Sequence, residues 1–326
     1  MPKKHDRASR RHHTRDGFCN PDAPAQPASP LEVARWLSGR VFSHKQNVPP
    51  HTVLPTDLSA PPPSIRITWI GHATTLIQVP GLTVLTDPHF GQRASPVPFA
   101  GPERLARLPL QIDDLPPVDL VVLSHDHYDH LHRPSIERLL AARHAPTFAA
   151  PLGCADRLRN WGVDSVLAFD WWEYDDMDIG SGLRLHALPA LHFSGRSLTD
   201  RNSTLWASWM LEMDDGSVYF GGDTGYSDHF STIADALGSP DIAILPIGAY
   251  KPRRIMKPVH VNPEEAMQAV IDLGRPDVVP IHWGTFDLAS ETVQAAAPEA
   301  IHWAERFGLT NQLRLLRPGE STTARP

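Results

Sequence analysis

The sequence predicts an α/β fold over residues 65–318, and three observations carry that prediction. Short β-rich runs begin at Ile65, helical patterns alternate with them, and no second composition regime follows. With 326 residues, 41% in the hydrophobic set and 21% charged, the chain can bury one sizeable core, and global disorder is excluded.

Ahead of Ile65 the chain reads differently. The first 16 residues carry Lys3, Lys4, Arg7, Arg10, Arg11 and Arg15 against Asp6 and Asp16, and read as a basic disordered tail. The Arg10-Arg11 pair lacks the apolar stretch that an export signal requires. Ser29-Pro30-Leu31-Glu32 is a capping box with Pro at the first helical position, and Val33, Leu37 and Val41 recur at helical spacing. A short amphipathic helix that packs on the domain is expected there. Residues 49–63, rich in Pro, read as an extended linker or a strap. Residues 1–64 are thus a basic, Pro-rich extension and 319–326 a C-terminal tail.

Within the domain, runs at 65–70, 75–79 and 82–86 form a strand meander punctuated by Gly71 and Pro80-Gly81. Further strands are expected at 119–124, 183–188, 205–211, 218–220, 242–246 and 278–281. Helical patterns cover 134–143, 229–237, 263–273 and about 293–307, the third announced by Asn262, Pro263 and Glu265.

Lys plus Arg total 30 against 37 Asp plus Glu, a net charge of −7 that has the wrong sign for a polyanion, so no nucleic-acid partner is expected. Cys19 and Cys154 are the two cysteines, too few for a disulfide framework, and they point to a reducing, cytoplasmic setting. No run of 18 apolar residues occurs, which leaves the basic tail meeting anionic lipid as the candidate for peripheral membrane contact.

The chemistry concentrates where the run Val118 to Leu123 enters Ser124-His125-Asp126-His127-Tyr128-Asp129-His130. In an extended segment His125 and His127 project to one side and can reach one ion, while the turn into the next helix brings Asp129 and His130 toward a second. Imidazole and carboxylate without Cys suit zinc and tolerate iron or manganese. His192, Asp223 and His282 stand at later strand ends, and the glycines of Gly221-Gly222-Asp223-Thr224-Gly225 let the backbone approach closely, so that the Asp223 carboxylate could bridge two ions.

With these residues in view, the sequence resembles the metallo-β-lactamase superfamily and, within it, the N-acyl-phosphatidylethanolamine-hydrolysing phospholipases D. The resemblance runs through about residues 65–321. It is carried by Thr68 to Thr74, Leu85-Thr86-Asp87-Pro88, Arg93-Ala94-Ser95-Pro96, the His cluster, Asp170-Trp171-Trp172-Glu173, Gly222 to Tyr226, Pro246-Ile247-Gly248-Ala249-Tyr250, Val261 to Ala266 and Ile281-His282-Trp283-Gly284-Thr285-Phe286. It implies an αββα sandwich of two facing mixed sheets with outer helices and two Zn²⁺ per chain. It also implies that His125, His127 and His192 hold the first ion, Asp129, His130 and His282 the second, and that Asp223 bridges.

The activity so implied is a dinuclear zinc-dependent phosphodiesterase of phospholipase D type, using a hydroxide shared between the ions to release N-acylethanolamine and phosphatidic acid. The alternative is a metal-dependent lactonase or other ester hydrolase acting on a soluble phosphorylated substrate. The family also implies a homodimer. Asp129 and Asp223 are expected to be catalytic as ligands at the reacting centre. His260 is expected to donate a proton to the leaving group or to wall the pocket. Asp87 and His72 are expected to support metal ligands from behind. Arg196 is a candidate phosphate clamp, and Tyr226, Tyr250 and Trp283 are expected to shape the pocket, Tyr250 as a substrate contact. Trp171-Trp172 reads as a core or sheet-edge pair and Cys154 as inert.

Overall fold

The computed structural model describes residues 2–7, 10–21, 23, 28–41, 48–55, 57–142, 145–180 and 182–324. The amino-terminal part contributes three short strands, β1 (Lys3–Lys4), β2 (His13–Thr14) and β3 (Gly17–Phe18), and one helix, α1 (Pro30–Val41). The expected meander follows as β4 (Arg66–Gly71), β5 (Thr74–Val79) and β6 (Leu82–Thr86). It leads into β7 (Leu120–Val122), α2 (Arg133–Ala141), β8 (Thr147–Pro151), α3 (Cys154–Asn160) and β9 (Val166–Phe169).

The second half repeats the plan. An antiparallel run comes first, β10 (Glu173–Asp176), β11 (Arg184–Leu188), β12 (Ser208–Met213) and β13 (Gly216–Phe220). Then come α4 (His229–Leu237), β14 (Ile242–Pro246), α5 (Arg253–Met256), α6 (Pro263–Asp272), β15 (Asp277–Ile281), α7 (Ala296–Arg306) and β16 (Ser321–Thr323).

Two seven-stranded mixed sheets result, ordered β16-β4-β5-β6-β7-β8-β9 and β1-β10-β11-β12-β13-β14-β15. In each, the later strands run parallel, β6 to β9 in the first sheet and β13 to β15 in the second. Side-chain alternation sorts the first sheet's two faces. Val84, Leu120 and Val122 join the core shared with Leu185, Trp209 and Phe220 of the second sheet. Leu85, Val121 and Leu123 face Ile136, Leu139 and Leu158 of the helices outside. The Nε1 of Trp209 donates to the Leu123 carbonyl at 2.9 Å, crossing from one sheet to the other. The αββα sandwich of facing mixed sheets is therefore present.

Several expectations change. The amino-terminal segment read as disordered folds onto the second sheet: Lys3 and Lys4 pair with Tyr174 and Glu173, and their ammonium groups lie 2.6 Å from Asp176 and 3.6 Å from Glu173. The carboxyl-terminal tail is likewise drawn in, because Ser321 to Thr323 cover the open edge of β4. β8, β9 and α3 were not anticipated: the two strands are only five and four residues long, and α3 has seven residues with Cys154, Ala155 and Leu158 buried, too short for a clear period. The run expected at 205–211 becomes a strand only from Ser208, since Ala207 donates its N–H to Ser124 and Leu205 to Leu152. The expected helix at 134–143 is α2, and Arg143 lies outside the described residues.

The capping box of α1 is formed, with Ser29 Oγ 2.9 Å from Glu32 and accepting the Glu32 N–H. The helix docks through Trp36, whose Nε1 donates to Ser290.

Candidate metal centre

Turns at the carboxyl ends of strands from both sheets converge on one edge, where open α/β sheets place ligands. His72 follows β4, Asp87 follows β6 and His125 to His130 follow β7. His192, Asp223 and His282 come from the turns after β11, β13 and β15. Three non-glycine residues with left-handed backbone cluster here, His72 at φ 56°, Asp87 at 33° and His282 at 63°, so strain is concentrated at this edge. The turn into Asp223 requires glycine: Gly222 has φ +57°, and a Cβ there would lie 2.4 Å from the Ser124 Cβ.

The side chains form two overlapping groups. His125 Nε2 and His192 Nε2 lie 2.9 and 3.2 Å from His127 Nδ1. Across the site, His130 Nε2 and His282 Nε2 each lie 3.1 Å from Asp223 Oδ2, and 3.5 and 3.4 Å from Asp129 Oδ2. Asp223 Oδ2 also stands 3.7 Å from His192 Nε2, which places it between the groups. These spacings match the edge of a tetrahedron with bonds of about 2.1 Å, roughly 3.4 Å.

His130 Nε2, His282 Nε2 and Asp223 Oδ1 are buried without a hydrogen-bond partner. Orphaning such atoms costs about 1–3 kcal/mol each. A cation among them satisfies all three, and the donor set fits a divalent ion.

The charge balance says the same. Burial, reinforced by neighbouring imidazoles, holds His125 well below the usual histidine range and keeps it neutral. Burial likewise lowers His127 to about 4 and His192 to about 3. These three are competent ligands at neutral pH without losing a proton. On the other side burial also opposes the charged form, but Asp223, Asp129 and Asp87 outweigh it at His130, and Asp223 and Asp129 outweigh it at His282, which rises to about 9. Asp129 and Asp223 stay ionised against burial because these imidazoles face them.

The supporting residues are in place. Asp87 accepts from the Ser124 N–H at 2.7 Å and lies 2.7 Å from His130 Nδ1, fixing that ring so that Nε2 faces the centre. His72, lowered to about 3 by burial and therefore neutral, donates Nε2–H to Asp129 Oδ2 at 2.9 Å. His192 donates Nδ1–H to the Val259 carbonyl at 2.9 Å. His260 borders the centre, with its buried Nδ1 3.9 Å from Asp223 Oδ2.

The model of the beta-lactamase superfamily domain matches residues 83–283. The chain belongs to that family. Among its relatives, an uncharacterized protein of Mycobacterium tuberculosis is 45% identical over 269 residues, 77% of this chain and 70% of that one. N-acyl-phosphatidylethanolamine-hydrolyzing phospholipase D 1 of Caenorhabditis elegans is 37% identical over 230 residues, 68% of this chain and 65% of the worm protein. The superfamily fold recurs in Igni18, a metallo hydrolase from Ignicoccus hospitalis, with a TM-score of 0.60 at 23% identity over 80% of this chain and 99% of that one.

Two expected substrate contacts have protein partners of their own, and Arg196 also lines the groove beside Tyr128 and His132. Tyr250 is 1% exposed and donates its hydroxyl to Glu299 at 2.7 Å, so it braces α7 and touches no open pocket. Arg196 lies over the Tyr128 ring at 3.7 Å and donates through Nη1 to the carbonyls of Asp126 and Leu131, at 2.6 and 2.8 Å. It ties together the two ends of the ligand-bearing turn instead of presenting that nitrogen to a phosphate. Tyr226 is turned to Asp272, and Trp283 stacks on Trp69. Trp171 and Trp172 are buried in the shared core and Cys154 is buried with its thiol raised by desolvation, as expected of each.

Sequence reasoning missed Asp126, which is buried and accepts the Gly195 N–H at 3.0 Å, anchoring the His192 loop to the His cluster. The alternation that puts His125 and His127 on one side puts Asp126 on the other, and that signal was available.

Proposed function

We propose that the protein is a dinuclear zinc-dependent phosphodiesterase of phospholipase D type, cleaving N-acyl-phosphatidylethanolamine or a related amphiphile to N-acylethanolamine and phosphatidic acid. The observation that carries the reading is the pair of ligand groups meeting at Asp223. In this reading His125, His127 and His192 hold one ion, Asp129, His130 and His282 the other, and Asp223 both. Bound there, divalent ions supply Lewis acidity and lower the pKa of water toward neutrality.

The chain's own groups do the rest. Asp87 and His72 orient His130 and Asp129. His260, lowered to about 3 chiefly by burial, is neutral at working pH and hydrogen-bonds to the phosphoryl group rather than protonating the leaving group. The similarity to the worm phospholipase supports the lipid substrate. So does the groove beside Tyr128 and His132, whose bordering loops expose Phe99 at 80% and Leu198 fully. Arg93, Arg133 and Arg157 on the same groove favour, as a second reading, a soluble phosphorylated ester or lactone. The described residues contain no helix long and apolar enough to cross a membrane.

Turnover of N-acyl-phosphatidylethanolamine in mixed micelles by the zinc-loaded protein, beside a phosphorylated lactone and an aryl phosphodiester, tests the assignment. Chelator-sensitive release of N-acylethanolamine and phosphatidic acid supports it. Turnover of the lactone alone sinks the lipid reading and leaves the second.

Arg196→Ala separates two roles in the same assay. Its contacts lead us to expect kcat to fall about tenfold for phosphodiester and neutral ester alike, as for loss of a group that orients a metal-bearing turn. A rise in KM confined to phosphorylated substrates would restore it as a phosphate clamp.

A further inference from the structure

The amino-terminal arm, residues 10–21, reaches the metal centre from outside the sandwich. His192 sits in the irregular connection between β11 and β12, a stretch that no ladder of backbone hydrogen bonds holds. Its ring is fixed by the Val259 carbonyl and its loop is held on either side, Leu191 by Thr224 and Gly225, and Gly195 by Asp126, while the His192 carbonyl itself is held by the arm: Asn20 Nδ2 donates to it at 2.8 Å. The other end of the Asn20 amide accepts from Trp206 Nε1 at 3.2 Å, which orients the amide with its NH₂ on His192.

The arm is itself clasped. His12 and His13 place their Nε2 atoms 2.6 and 2.8 Å from the two oxygens of Asp170, and His12 stacks on Trp171 at 4.3 Å. Phe18 donates its N–H to the Asn202 carbonyl, and Gly17 presses so closely that a Cβ would lie 2.1 Å from that oxygen.

We propose that Asn20 is a positioning residue that seats His192 for the first ion, making the arm a working part of the metal centre. The inference rests on the dinuclear reading above. Among the described residues no other side chain donates to the His192 backbone carbonyl, and Asn20→Asp removes the donor while keeping the shape and the acceptor for Trp206.

Zinc stoichiometry, chelator competition and melting temperature of the full chain test this in Asn20→Asp and Gly17→Ala, with Thr14→Ala on the same arm as the control. Wild type and Thr14→Ala should hold two ions. Asn20→Asp should release one of them at about tenfold lower chelator, the scale of lost ligand support. Its metal-free melting temperature should stay at the wild-type value while the rise on metal loading shrinks, and kcat should drop with KM unchanged. Gly17→Ala, by lifting the arm from Asn202, should reproduce that loss. Wild-type affinity for both ions in Asn20→Asp would overturn the inference, even if Gly17→Ala fails to fold. Wild type holding a single ion would overturn the dinuclear reading instead, and the affinity of that ion in Asn20→Asp would still decide the role of the arm.

Discussion

Asp223→Ala is expected to abolish both metal retention and hydrolysis. Its Oδ2 lies 3.1 Å from His130 and His282 and 3.7 Å from His192, so one truncation removes a ligand from both groups at once. It also strips the charge that keeps two buried imidazoles protonated when metal is absent. A fall in kcat/KM of at least about 10³, roughly 4 kcal/mol of lost barrier lowering, is expected, with metal content dropping from two ions toward none. Metal analysis of the dialysed variant beside its turnover checks this. A variant that keeps two ions and full activity would end the assignment.

The two ions should also part company with pH. His282 rises to about 9 in the metal-free protein and His130 also lies well above its ordinary value, so both carry protons at neutral pH that an incoming ion must displace. Below about 9, affinity at that side should fall about tenfold per pH unit for each proton displaced. His127 and His192 are already neutral down to about 4 and about 3, so the opposite side should stay nearly flat across the same range. Zinc competition against a chelator between pH 6 and pH 9 should show one ion whose affinity climbs with pH and one whose affinity does not. Parallel slopes would contradict this picture of the site.

The sign for folding is separate. Protonated His130 and His282 stabilise the metal-free fold below their unfolded pKa of about 6.5. That contribution is lost as pH rises through about 9, where His282 titrates.

How much of this was legible beforehand varies with the kind of signal. The His cluster was readable because one strand and one turn place four ligands within six residues. His192, Asp223 and His282 were readable only together and after that cluster, since a lone His or Asp at a strand end has many structural uses, and their assignment to one ion or the other needed the family resemblance. Asp87 and His72 were readable as supports on the same basis. Adjacency in sequence to a metal motif does not fix direction: Tyr250 turns to Glu299, and Arg196 spends Nη1 on the Asp126 carbonyl while lining the groove. The amino-terminal segment was misread as disordered for a composition reason. Its lysines and arginines resemble a solvated tail, and nothing local announces that Glu173 and Asp176, some 170 residues on, neutralise Lys3 and Lys4.

The proposed ligands are divided between the two sheets: His125 to His130 hang from one, and His192, Asp223 and His282 from the other. An ion held by both is a rivet through the sandwich, and its binding energy is folding energy. At a free concentration 100 times Kd it adds about 2.7 kcal/mol of stability. A chain starved of its ion opens more often along the seam between the sheets, and proteases act on open chains. Metal supply would then govern the protein's lifetime in the cell as well as its turnover number, so scarcity would show first as a lower copy number.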